Sequence, residues 1–134
     1  VFKGKQDAGV TAAITQFFFP AEFFLRFRDR AAAKGITLPI IPGILPVKNW
    51  TATQAIAIRC GTSIAPDLAE GFARAEREGR AEMMAIAQAS ELCDSLIQNG
   101  VEHLHFYTMN KAEVVSAICT ALGKAPQQSL RRVA

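Results

Sequence analysis

The sequence predicts an α/β protein with a small parallel sheet, on three observations. Thr15-Gln16-Phe17-Phe18-Phe19, Pro39-Ile40-Ile41-Pro42-Gly43-Ile44-Leu45-Pro46 and His105-Phe106-Tyr107-Thr108-Met109-Asn110 are short apolar runs that close in polar or turn-forming residues. Each is followed by a helix-like stretch, the rhythm of strands in a parallel sheet. Hydrophobic residues make up 50% of the 134 positions, an apolar bias that strands covered on both faces would produce.

The elements follow in order. Residues up to about Ala8 read as the end of a helix with Gly9 as its stop. Thr11 to Phe17 reads as a strand, and Pro20 suits the first turn of the next helix. In that helix Phe23, Phe24, Phe27 and Ala31 share one face, and Gly35 ends it. Leu38 to Ile41 reads as the second strand, with Pro42-Gly43 turning the chain at its end. Asn49 to about Arg59 reads as helical and Pro66 opens another short helix. Glu76 to Asn99 then reads as one long amphipathic helix stopped by Gly100. His103 to Thr108 forms the third strand. Asn110 and Glu113 make a capping box for the last helix, whose apolar residues are Val114, Val115, Ile118 and Leu122.

Neither a linker nor a low-complexity segment divides the chain, so residues 1–134 are expected to form one domain. Three parallel strands cannot close a barrel, which needs about eight. The expected architecture is therefore an incomplete one, with open sheet edges and an exposed apolar inner face.

Several function classes are excluded. No apolar run approaches the roughly 20 residues that span a bilayer, and Val1 to Asp7 lacks the layout of a signal peptide. Val1 in place of an initiator Met suggests a chain that begins mid-gene. Cys60, Cys93 and Cys119 are odd in number and far apart, which predicts buried thiols of a reducing cytoplasm. The net charge is a mild +3, and Arg26, Arg28, Arg30, Arg74, Arg77 and Arg80 are interleaved with acids, so nucleic-acid binding is not expected. His103 and His105 share a strand face but have no further ligand at suitable spacing, so no metal is expected. A phosphate loop, a Gly-x-Gly-x-x-Gly fingerprint and a nucleophile elbow are all missing.

In parallel α/β barrels, chemistry sits at the carboxyl ends of the strands. That rule nominates Gln16, the Pro42-Gly43-Ile44 segment and Tyr107 to Lys111. The Gln16 amide offers a donor beside an acceptor, which suits the lactam edge of a pterin or a nicotinamide carboxamide. The residue alone equally allows a hydrogen bond to neighbouring backbone.

In order and spacing the three segments resemble the C-terminal half of the methylenetetrahydrofolate reductase family, and the likeness runs through nearly the whole chain. It implies a partial (β/α)8 TIM barrel, about its last three βα units. It also implies a flavoprotein in which NADH or NADPH reduces FAD, and FAD in turn reduces 5,10-methylenetetrahydrofolate to 5-methyltetrahydrofolate for methionine synthesis. On this resemblance Gln16, in the Thr-Gln-Phe-Phe-Phe motif, contacts the pterin of the folate. Lys5, in Lys-Gln-Asp-Ala-Gly, helps hold the flavin. Lys111 stands where the family often has a folate-contacting arginine; lysine keeps the charge but loses the two-pronged fork. Ile56 stands where bacterial members carry a stacking aromatic, with Trp50 the nearest substitute, and Ala52 where some relatives have a glutamine. The family's general-acid glutamate and flavin-tuning aspartate match no residue here, so no catalytic residue is assigned. A cytoplasmic fragment of a homo-oligomeric enzyme, inactive in isolation, is the expectation. A stand-alone half-barrel acting as a binding or assembly module is the alternative.

Overall fold

The computed structural model of the chain describes residues 2–124. Val1 and the basic tail through Arg131 and Arg132 lie outside the described residues. Left-handed glycines follow the ends of several helices. After α1 (Phe2–Asp7) and the first strand, α2 (Ala21–Ala33) ends with Gly35 at φ +76, while the Ile36 N–H donates to the Ala31 carbonyl at 3.1 Å. This closure supplies donors for carbonyls that the last turn leaves open. Gly79, at φ +69, does the same for α4 (Pro66–Arg77), with the Arg80 N–H on the Ala75 carbonyl at 2.8 Å. The helix predicted over Glu76 to Asn99 is thus two: α4 ends at Arg77 and α5 (Ala81–Gln98) restarts beyond the glycine.

The strands β1 (Ala13–Phe17), β2 (Ile40–Ile44) and β3 (His105–Phe106) are all parallel and lie in the order β1-β2-β3. Two expectations change here. Pro42 and Gly43 belong to β2 and do not turn the chain at its end. The ladder absorbs the proline by a shift: Ile14 pairs with Ile41 and Phe17 with Gly43, so Thr15 and Gln16 together oppose Pro42. A proline has no N–H for the ladder, and bulges are where strands accept one. β3 has two residues instead of the six expected, because only His105 and Phe106 pair with β2, and His103 is exposed outside it.

The three consecutive phenylalanines after Gln16 are all buried and serve two cores. Phe18 enters the layer formed with α2, α5 and α6 (Ala112–Ala121), stacking on Phe24 at 5.7 Å between ring centroids. Phe17 and Phe19 enter the second core, where Phe19 meets Phe72 at 5.8 Å and Phe72 stacks on Trp50 at 5.4 Å. Alternation of side chains along extended backbone produces this split. On α2, Phe24 is 1% exposed and Ala31 is buried, but Phe23, expected on the same face, is 61% exposed beside the free edge of β1.

α3 (Trp50–Cys60) is held at its start from two sides. Asn49 Oδ1 accepts from the Ala52 N–H at 2.9 Å, and the Glu76 carboxylate of α4 accepts from the Trp50 N–H at 2.8 Å and the Thr51 hydroxyl at 3.0 Å. Both put oxygen against the positive end of a helix. Asn49→Ala is expected to lower unfolding stability by about 1 kcal/mol, readable as a lower urea midpoint with an unchanged slope. The capping box expected at α6 is not formed. Asn110 takes φ 60 after Met109 at φ 48, and Lys111 occupies the N-cap without a side-chain capping bond. Asn110 is used as a left-handed turn residue, a conformation asparagine tolerates better than most, and so cannot cap.

Candidate functional site

The bulge in β1 shapes the region that the sequence nominates. Gly43 N–H donates to Thr15 Oγ1 at 3.0 Å, and the Tyr107 hydroxyl donates to the Thr15 carbonyl at 2.8 Å, reaching from the residue after β3 across β2. Gly43 makes that reach possible: a Cβ there would stand 2.6 Å from Tyr107 Cε2 and collide with the Thr15 carbonyl oxygen. Next along the chain, Gln16 is exposed near the carboxyl end of β1. Its Oε1 accepts from the Phe17 N–H at 3.1 Å, the neighbouring-backbone bond that the sequence allows. Its Nε2 donates to Cys60 Sγ at 3.3 Å. A thiol is a weak acceptor, so the amide keeps donor capacity for a ligand.

Two cavities adjoin the nominated residues. One, of about 300 Å³, runs along the free edge of β1 and is lined by Phe2, Ile14, Gln16, Phe23, Phe27 and Cys60 among others. The other, of about 290 Å³, lies beyond the ends of β2 and β3, between α3 and α6. Its lining includes Lys48, Asn49, Ile56, Tyr107, Met109 and Lys111. The structure therefore puts Gln16 and Lys111 at the same end of the sheet but in separate cavities, with β2 between their strands. Lys5 is exposed in the last turn of α1 and lines neither cavity.

Other nominated residues fall elsewhere. Pro42, Gly43 and Ile44 are buried inside β2, and beyond them it is half-buried Pro46 and Lys48, with Leu45, that line the second cavity. Trp50, a possible stacking residue in the sequence, is buried against Phe72 and faces the second core instead. Ile56 and Ala52 do line the cavity that holds Lys111. Sequence reading missed Lys48, which lies on the same cavity and pairs with Glu82 at 2.7 Å. The Glu82 hydrogen bond raises the Lys48 pKa above its ordinary value, partly opposed by burial. His105 packs edge-on against Tyr107 at 5.0 Å, and no three metal-binding side chains gather among the described residues.

The cysteines divide. Cys93 is fully buried and Cys119 half-buried, but Cys60 is exposed at the end of α3, against the expectation of three buried thiols. Burial pushes the Cys93 thiol up to about 12, with a smaller contribution from Cys119. A native-state thiol titration at pH 8 is expected to label Cys60 rapidly and leave Cys93 unmodified until urea is added. Because the folded state holds this proton more tightly, the stability Cys93 contributes is complete below its ordinary value of 9.0 and is lost as pH rises toward about 12.

A parallel α/β sheet with polar groups gathered beyond its carboxyl ends is the class of structure that places ligands at those ends. A family model of methylenetetrahydrofolate reductase matches residues 1–123, and the chain belongs to that family. It is 42% identical over 125 residues to the 5,10-methylenetetrahydrofolate reductase of Escherichia coli K12, covering 92% of this chain and 42% of that protein. With the enzyme of the same name from Buchnera aphidicola subsp. Schizaphis graminum it shares 36% identity over 122 residues, 90% of this chain and 42% of that protein. A probable methylenetetrahydrofolate reductase (NADH) of Oryza sativa subsp. japonica is 30% identical over 131 residues, 97% of this chain and 22% of that protein. The chain thus spans about two fifths of the length of the bacterial relatives it matches.

Proposed function

We propose that this chain is the C-terminal part of a (β/α)8 barrel enzyme, a single domain to which residues 1–134 belong. The enzyme reduces 5,10-methylenetetrahydrofolate to 5-methyltetrahydrofolate with NADH or NADPH. The observation that carries the reading is Gln16, exposed at the carboxyl end of β1 with amide donor capacity left over. A donor beside an acceptor matches a pterin lactam edge, and orienting that ring against a hydride source is the main task of the protein in such a reaction. Lys111, exposed at the mouth of the second cavity, offers a positive charge to the anionic end of the folate. A barrel that continues past β1 is supported by the outer edge of that strand, which pairs with no further strand among the described residues and where Ile14 is 51% and Phe23 61% exposed.

FAD fits what the described residues offer in one respect. Lys5 is exposed and has no ion-pair partner among the described residues, which suits a dinucleotide phosphate. When bound, the flavin supplies the hydride carrier between nicotinamide and folate. This chain's own residues bind and orient: Gln16 the ring and Lys111 the charged end, each from its own cavity. No described helix is long and apolar enough to cross a membrane. A homo-oligomeric cytoplasmic enzyme is part of the same proposal.

The test is product identification with the full-length gene product and FAD. One 5-methyltetrahydrofolate formed per reduced nicotinamide consumed supports the reading, and nicotinamide oxidation indifferent to the folate sinks it.

A further inference from the structure

We propose that Tyr107 is a positioning residue for Gln16, acting through the peptide group that joins Thr15 to Gln16. This rests on the reading of Gln16 as a substrate-binding residue. The Thr15 carbonyl and the Gln16 N–H belong to one rigid planar unit. Whatever holds the carbonyl therefore fixes the plane from which the Gln16 side chain departs.

At this point the sheet cannot hold it in the ordinary way. Thr15 and Gln16 oppose Pro42 together, and Pro42 has no N–H to donate. The Tyr107 hydroxyl, 2.8 Å from the Thr15 carbonyl, supplies a donor from the far side of β2. Three features make the device specific. Gly43 clears the path, since any Cβ there would run into the ring and the same carbonyl. The Gly43 N–H on Thr15 Oγ1 at 3.0 Å pins the same residue from its side chain. The Tyr107 N–H on the Ile44 carbonyl at 2.9 Å and the His105 ring at 5.0 Å fix where the tyrosine itself stands. A bulge that re-aims one side chain at a functional end of a sheet is a recurrent use of the motif. Here its aim is set by a residue 92 positions away in sequence.

The test is a double-mutant cycle in the full-length reductase, read as kcat/KM for 5,10-methylenetetrahydrofolate. Tyr107→Phe keeps the ring over Gly43 and removes only the hydroxyl. It is expected to lower kcat/KM by about 10-fold in the wild-type background, the equivalent of one hydrogen bond, and by less than about 2-fold when Gln16 is already Ala. Equal losses in both backgrounds, or no loss in the first, overturn the tie while leaving Gln16 in its role. A Gln16→Ala enzyme with unchanged kcat/KM overturns the premise itself. A merely structural tyrosine would lower activity alike in both backgrounds, so the difference between them is the readout. If Tyr107→Phe cannot be purified folded, Tyr107 replaced by 3-fluorotyrosine keeps the bond with a more acidic hydroxyl. Its kcat/KM is then expected to change with Gln16 present and stay constant with Gln16→Ala, and the same change in both overturns the proposal.

Discussion

Gly43→Ala is expected to lower the unfolding stability of the protein by about 3 kcal/mol, seen as a clear fall in the urea midpoint. The position is buried in β2 and has no unusual backbone angle, so conformational freedom is not what glycine provides there. It provides space. A single methyl group would meet the Thr15 carbonyl and the Tyr107 ring at once. Neither is the loose end of a flexible chain, because Thr15 is sheet backbone and Tyr107 is held by its own N–H and hydroxyl. Relief requires moving β1 away from β2 or expelling the ring, and either breaks hydrogen bonds in partly buried surroundings. A midpoint within error of the wild type would show that the three strand ends are loosely packed.

Gln16→Ala carries the second large effect, this time on the proposed activity. Two neutral hydrogen bonds to a ring edge are worth about 2–3 kcal/mol together, so kcat/KM for the folate is expected to fall roughly 100-fold. The fold should be indifferent to the change. Gln16 is exposed, and its own bonds are to a neighbouring N–H and a thiol. A thermal midpoint within a few degrees of wild type, with the loss confined to the folate term, is the pattern that separates this role from a structural one. A smaller loss than about 3-fold would mean that the amide stays on Phe17 in the complex.

Much of this was legible from residue pattern alone. The three apolar runs became three parallel strands in one sheet, and Gly35 and Gly100 stopped their helices as expected, because a left-handed residue after a periodic apolar stretch is a local signal. What failed was local chemistry overruled by neighbours. Pro42-Gly43 looks like a turn in isolation, but β1 yields a bulge and lets the pair stay in the sheet. Gly79 lies inside a strongly amphipathic stretch whose periodicity hides the stop, yet it takes the same left-handed backbone as Gly35. Asn110 and Glu113 have capping-box spacing, yet the tight left-handed turn at Met109 and Asn110 consumes the asparagine.

The site was legible in part for the same reason. Gln16 was nominated by its place at a strand end, which pattern reveals. That Tyr107 grips the residue before it was not, since contacts between residues so distant in sequence leave no periodic trace. Lys48 was hidden too, because its place on the second cavity depends on how the loop after β2 is drawn to Glu82 at the start of α5. A single sequence shows neither.

The most direct measurement is made on the full-length protein loaded with FAD and reduced: its anaerobic reoxidation by 5,10-methylenetetrahydrofolate, followed by the return of the oxidised flavin band. The account predicts reoxidation whose rate rises with folate concentration and saturates, leaving 5-methyltetrahydrofolate as product. A reduced protein that stays reduced in the presence of the folate would contradict it.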